Sequence, residues 1–371
     1  MFLCFARQHR LSVSWGHFTR KNPTFGNPPR FAKGKGNWDV NGYGQIPHKT
    51  DWNLVAFCVN LQDSKPNMKK ILVLALIATS LSAQVPAGKK VISSLYIYDL
   101  ASGKSKKILE EKRHFEAPNW SRDGKFLLIN AYGKLEKVSP KGEKLGELNT
   151  GTVQKANNDH GYSFDGKTLF ISSGKPEIKG GSSFIYKVAA DGGEPVQLTP
   201  LTPSYWHGVS PDAKTMVYCA ARNGNFDIYA MSTDGGEEIR LTTNESLDDG
   251  PEYSPDGKFI YINSYRTGMM QIWRMRADGS EPEQMTFDNY SNWFAHIAPN
   301  NQVATIITYL EDQVQAHPFG RQIKLRLLDL KTKQVRDLTE AFYGGQGTIN
   351  VPSWSPDGKK FAYVRYALED L

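Results

Sequence analysis

The sequence predicts an all-β fold, a six-bladed β-propeller of four-stranded antiparallel blades whose ring is closed by N- and C-terminal strands sharing one blade. Three observations predict it. One short phrase recurs six times, each copy is followed by apolar runs between turn residues, and the two ends of the array supply complementary halves of a sheet.

The phrase is fullest at residues 248–258, DDGPEYSPDGK. It returns as PNWSRDGK at 118–125, HGYSFDGK at 160–167, HGVSPDAK at 207–214, HIAPNNQ at 296–302 and VPSWSPDGKK at 351–360. Aligned on the serine, the copies fall at Ser121, Ser163, Ser210, Ser254, Ala298 and Ser355, spaced by 42, 47, 44, 44 and 57 residues. After Ser254 the chain reads FIYINS, YRTGM, MQIWRMR, ADGSEP and EQMT; the copy from Trp206 repeats that order as TMVYCAA, RNGN, FDIYAMS, TDGGEE and IRLT. Alternating apolar residues bounded by Gly, Asp and Pro are strand signals, and Asp-Gly marks hairpins because glycine takes positive φ without steric penalty. Four strands in a period of roughly 40–50 residues make one propeller blade. A sheet this small cannot bury both faces alone, so the copies stack round an axis. The Ser-Pro-Asp-Gly-Lys phrase is then turn chemistry between the first and second strands of every blade.

Counting closes the ring. The last phrase, at Ser355, supplies only two strands, VPSW and KFAYVRYA, before Leu371. The missing pair stands at the other end, where SSLYIYDL (93–100), ASGK and KKILE (106–110) read as strands three and four.

The beginning of the chain is different. Residues 1–67 show no sustained apolar period of 2 or 3.6 and are expected to be a disordered upstream extension. Met68 then opens MKKILVLALIATSLSAQ, in which two lysines, an apolar run from Ile71 to Leu81 and small residues before Gln84 have the three-part form of a secretory signal peptide, 68–83. The run is too short for a membrane span, which takes roughly 20 residues. The propeller, 84–371, is therefore expected in the periplasm or outside the cell, as a monomer without a transmembrane segment.

The formal charge of +7 belongs to the leader: residues 1–67 hold nine Lys/Arg against three Asp/Glu, and Lys69 and Lys70 add two cations, leaving the remainder at −1. That balance argues against a nucleic-acid partner. Cys4 and Cys58 also fall in the leader. Cys219 is left alone, as a small buried hydrophobe in an exported domain that has no internal disulfide and must rely on its core.

The repeats, with their SPDGK turns and an outer half of the type IWRMRADGSEPEQMTFD, resemble the TolB-type (WD40-like) propeller repeat over residues 93–371. TolB proper carries an α/β domain ahead of its propeller and works in the cell envelope; here the expectation is a signal peptide followed by the propeller alone. Prolyl oligopeptidase-type enzymes carry similar propellers beside a hydrolase domain, but no G-x-S-x-G elbow is found. Oligogalacturonate lyases resemble the chain more distantly, as secreted propellers with histidines and a glutamine around a metal. Gln346 suits that glutamine, whereas GTINVPSW after it has no histidine.

Chemistry is expected where inner strands begin and the loops between second and third strands gather, at one mouth of the axial channel. His160 and His207 stand three places before the aligned serine and His296 two places before. Trp206, Asp248, Asp249, Trp293, Gln346 and Asn350 lie just upstream of the phrase; Arg222, Arg266 and the insertion LEDQVQAHPFGRQ (310–322), with His317, belong to loops of the same face. Imidazoles with carboxylates are ligands for divalent metals, and His160, His207 and His296 are the candidate set for Mn, Zn or Ca. Arginines there suit an anionic ligand, and aromatics stack on sugar rings. Alternatively, a histidine in that position only bonds a neighbouring blade's carbonyl. Trp273, inside a third strand, is expected in the core. The function expected is a binding module for a saccharide, an envelope polymer or a protein partner; the alternative is a metal-dependent saccharide-active enzyme of the oligogalacturonate lyase type.

Overall fold

The computed structural model describes residues 85–371 apart from 176 and 179–181, and its regular elements are all strands. The expected extension and signal peptide lie outside these residues. The described chain opens with two strands, β1 (Lys89–Asp99) and β2 (Lys104–Glu111), that wait for a partner from the far end. The first complete blade follows, from β3 (Glu116–Trp120) at the axis through β4 (Leu127–Ala131) and β5 (Lys134–Val138) to β6 (Lys144–Glu147) outside. The second comprises β7 (Ala156–Tyr162), β8 (Thr168–Ser173), β9 (Phe184–Ala189) and β10 (Val196–Gln197), and the third β11 (Ser204–Val209), β12 (Thr215–Ala221), β13 (Phe226–Ser232) and β14 (Ile239–Arg240). The fourth contains β15 (Asp248–Tyr253), β16 (Phe259–Ser264), β17 (Gln271–Arg276) and β18 (Glu283–Gln284). The fifth has β19 (Ser291–Ile297), β20 (Val303–Tyr309), β21 (Phe319–Asp329) and β22 (Val335–Asp337), with an added strand, β23 (Phe342–Gly345), on β21. Finally β24 (Lys360–Asp370) pairs antiparallel with β1 along its whole length, Lys89 opposite Asp370 and Asp99 opposite Lys360.

The structure is thus the predicted six-bladed propeller closed by its two ends, with two departures. In the closing blade the innermost strand is reduced to one bridge, Trp354 with Phe361. Pro352 has no N–H to give a ladder, and beside the bridge the Ser353 carbonyl accepts the Ala362 N–H at 2.9 Å. In the fifth blade the insertion read as a loop over 310–322 is loop only to residue 318, because β21 runs back to Phe319 to meet β23.

The repeated phrase builds one turn five times. The serine hydroxyl donates to the aspartate two places on, at 2.9 Å from Ser121, 2.6 Å from Ser163, Ser210 and Ser355, and 2.7 Å from Ser254. The same hydroxyl accepts the N–H that starts the next strand, as Thr168 to Ser163 at 3.0 Å. Apolar side chains meet between neighbouring blades, for example Phe170 stacked on Trp206 with centroids 5.6 Å apart. Cys219 is buried as expected. Trp273 is only half-buried: it packs against the core from its edge, and the Arg266 guanidinium lies over its ring, 4.6 Å from the centroid.

Candidate functional site: two mouths of one channel

The inner strands are not regular. Each of β3, β7, β11, β15 and β19 slips register once, between Glu116/Asn119, Ala156/His160, Trp206/Gly208, Asp249/Glu252 and Trp293/His296. Bulges of this kind re-aim side chains. In three blades the residue four places before the aligned serine takes positive φ: Gly250 at 58°, but also Ala117 at 53° and Phe294 at 49°. Glycine enters that region freely; Ala and Phe are strained there, and such strain concentrates around functional sites.

The first mouth, where inner strands begin, holds acids and imidazoles drawn from five blades. Asp249 Oδ1 lies 3.4 Å from His207 Nε2 and Asp249 Oδ2 lies 3.3 Å from His317 Nε2. Burial alone would raise the Asp249 pKa, yet the two imidazoles hold it far below the ordinary carboxylate range. Burial works against a charged His207, but Asp159 and Asp249 outweigh it and raise its pKa. Asp159 has no hydrogen-bond or ion-pair partner for its carboxylate among the described residues; burial, and Asp249 after it, push it up to about 6 against the pull of His207 and His317. Glu116 is pushed up to about 8 by burial and by Asp159, with only Asn130 Nδ2 at 3.3 Å and a neutral His114 at 3.8 Å beside it. Burial keeps that imidazole's pKa near 4.

The residues singled out from sequence divide. His207, Asp249 and His317 come together, and Trp293 supports them, its ring 4.6 Å from that of His317. His160 does not join: its Nε2 is 3.5 Å from the Leu128 carbonyl of the first blade, and burial holds its pKa near 4. His296 faces Glu252 through Nδ1 at 2.6 Å and the Ile349 carbonyl through Nε2 at 2.8 Å. The set His160, His207 and His296 is therefore not assembled, and among the described residues no three His, Cys, Asp or Glu are arranged to hold a metal ion. The neighbouring-carbonyl role, which the sequence left open, is the one His160 takes at Leu128 and His296 shares at Ile349.

Arg222 is committed to Glu238, at 2.6 and 2.9 Å. Arg266 reaches Asp248 at 3.2 Å and Ser264 at 2.7 Å. Asn350 accepts the Gly347 N–H at 2.6 Å, and the Gln346 backbone N–H donates to the Pro318 carbonyl at 3.3 Å. Trp206 is buried on Phe170, and its indole edge faces the other end of the channel across Gly161, where a Cβ would run into it.

That other end is what sequence reasoning missed. At the face of the Ser-x-Asp-Gly turns lies a cavity of about 260 Å³ lined by all six blades. The residue just before each aligned serine contributes: Trp120, Tyr162, Val209, Tyr253, Ile297 and Trp354. The signal is present in the alignment of the phrases, as four aromatics in one column directly beside the structural turns. Glu252 forms part of the wall, with Oε1 accepting the Ile297 N–H at 2.9 Å.

Comparisons with known proteins agree with this architecture. Residues 201–366 match the family described as the TolB beta propeller domain. An uncharacterised protein of Agrobacterium fabrum (strain C58) is 45% identical over 280 residues, covering 75% of this chain and 94% of that protein. A solved structure from Agrobacterium tumefaciens, provisionally assigned as TolB, is 44% identical with a TM-score of 0.70, over 75% of this chain and 99% of that one. TolB from Acinetobacter baumannii is 15% identical with a TM-score of 0.51, over 75% of this chain and 66% of that one, a likeness of fold. Matched over three-quarters of its length at such identity, and built from the same repeated sheets, the chain belongs to the TolB-like β-propeller family.

Proposed function

We propose that this chain is an exported recognition module, acting in the periplasm or beyond the cell, that binds a saccharide unit at the turn-face mouth of its axial channel. The observation that carries the reading is the cavity into which every blade sends a residue, with Trp120, Tyr162, Tyr253 and Trp354 in equivalent positions. Rigid aromatic faces with a polar tip give large contact area at little entropic cost, which suits the C–H face of a sugar ring. The volume, about 260 Å³, is below the roughly 300–1,000 Å³ of pockets that enclose drug-sized ligands, so a single ring of a longer polymer fits it. Export is supported by the leader at 68–83 and by the envelope role of the TolB repeat it resembles.

The test is titration of the full chain with mono- and oligosaccharides, with Trp120→Ala and Trp354→Ala beside His207→Ala. Loss of binding in the tryptophan variants alone supports the reading. Loss only in His207→Ala moves the site to the opposite mouth. Saccharide turnover that needs added Mn²⁺ replaces the reading with the metal-dependent enzyme.

A further inference from the structure

We infer that Arg122 turns this mouth into a carboxylate subsite, so that the unit recognised is an acidic sugar; the inference rests on the saccharide reading above. Arg122 stands one place after the aligned serine. The corresponding residues of the other blades that line the cavity are Phe164, Pro255, Pro299 and Pro356, so this position carries a cation in one blade only.

The guanidinium is held in place rather than neutralised. Its Nε donates to the Ser163 carbonyl at 3.1 Å and its Nη2 to the Tyr162 carbonyl at 3.2 Å, while its plane lies 4.7 Å from the Phe164 ring centroid. Among the described residues it has no ion pair, and Nη1 has no hydrogen-bond partner. The carboxylate that shares the cavity is Glu252, and both of its oxygens are occupied, by the Ile297 N–H and by His296 Nδ1 at 2.6 Å. A guanidinium is always charged and presents donors in a fixed fork. Two of its donors are spent on backbone carbonyls, and the residue lines a cavity walled largely by aromatic and proline rings, where Glu252 acts on it only through space and no carboxylate is hydrogen-bonded to it.

An incoming carboxylate supplies the hydrogen-bonded counter-ion that Glu252 does not, and accepts from Nη1. The same ligand's ring lies against the aromatic column. Glu252 on the wall repels a second negative charge, so a singly charged carboxylate is preferred to a phosphate dianion. Charge-assisted hydrogen bonds of this type contribute about 1.5–3 kcal/mol, a tenfold or greater preference for acid over neutral sugar.

The experiment compares D-glucuronate and D-galacturonate with their methyl esters and with glucose and galactose, by calorimetric titration of the full chain. The acids should bind at least tenfold more tightly than the esters and lose that advantage as salt is raised. Arg122→Gln should bring the acids down to the level of the neutral sugars, and Arg122→Lys should retain part of the preference. The ester comparison needs no substitution, so it decides even where Arg122→Gln fails to fold. Acids and esters binding equally would overturn the inference while leaving the saccharide reading intact. Binding of no sugar at all, acidic or neutral, would overturn both.

Discussion

His317 reaches Asp249 across the first mouth, Nε2 to Oδ2 at 3.3 Å, and so ties the long loop of the fifth blade to the inner strand of the fourth. The other oxygen of Asp249 meets His207 of the third blade at 3.4 Å. One carboxylate thus joins three blades, and its substitution tests the joint. Asp249 has a depressed pKa, so its contribution is present above the ordinary carboxylate value of 3.8 and is lost as pH falls below it. His207 has a raised pKa, so its contribution is complete below 6.5 and is lost as pH rises through its folded value. The joint is strongest between those limits. Asp249→Asn should therefore lower stability by about 2–4 kcal/mol in denaturant titrations near pH 5.5, and by less near pH 9. Equal losses at both would mean that shape, not charge, holds the blades.

Glu116 and Asp159 should have the opposite dependence. Burial raises both acids, Glu116 to about 8 and Asp159 to about 6, so the folded state holds protons that the unfolded chain has released. Stability is then fully present below the ordinary carboxylate range, declines as pH rises toward each raised value, and is flat beyond it. Glu116→Gln should remove much of the decline between pH 4.5 and about 8 and leave the variant a few kcal/mol more stable than the parent above that range, with little difference at pH 4. An unchanged slope of stability against pH in Glu116→Gln would assign the decline to other groups.

The fold was legible because its signals are local and repeated. Turn chemistry at Ser254 and Asp256 says the same thing at Ser163 and Asp165, so errors in one blade are corrected by the others. The half-blades at the two ends followed from counting. The site was less legible, since a column of the alignment fixes the height of a residue along the channel but not its direction. His160 and His207 occupy one column, yet a bulge sends His207 to Asp249 and leaves His160 at a carbonyl of the first blade. Glu116 and Glu252 gave no signal of their own, because their roles come from neighbours contributed by other blades.

Two blades depart from the turn phrase, and the departures should be correctable. Ala213 occupies the position held by Gly257 in the fourth blade and takes φ of 60°, a region that penalises a Cβ by roughly 1–2 kcal/mol. Ala298 replaces the serine of the fifth blade, although the backbone there is the same, with the Ala298 N–H donating to the Val303 carbonyl at 2.9 Å. Ala213→Gly should raise stability by up to about 1 kcal/mol, the relief of strain being partly offset by the looser unfolded chain. Ala298→Ser, which restores an acceptor for the Val303 N–H, should add about 0.5–1.5 kcal/mol. Thermal melts of the two variants and of the double variant decide it. The sites are in different blades, so the two gains should add.

The closing blade makes a sharper claim, that the ring is held by sheet pairing and not by the position of the chain ends. Leu95 and Val364 face each other in the β1–β24 ladder, and both are fully buried. Placing an aspartate at Val364 buries a charge with no partner and removes an apolar contact, so Val364→Asp should abolish cooperative unfolding, where Leu95→Ala should lower stability by about 2–5 kcal/mol and leave the transition intact. The ends themselves are adjacent: the Leu371 N–H donates to the Gly88 carbonyl at 3.0 Å, and Lys89 pairs with Asp370 at 2.7 Å. A permuted chain in which residue 371 is joined to residue 88 through a short glycine linker, and which is opened at Gly235–Gly236 in the exposed turn of the third blade, keeps every strand pair of the ring. It should fold and melt within a few degrees of the parent. Were the permutant to fail while Leu95→Ala folded normally, the native order of the strands along the chain would matter to closure, and pairing between β1 and β24 would not be sufficient to explain it.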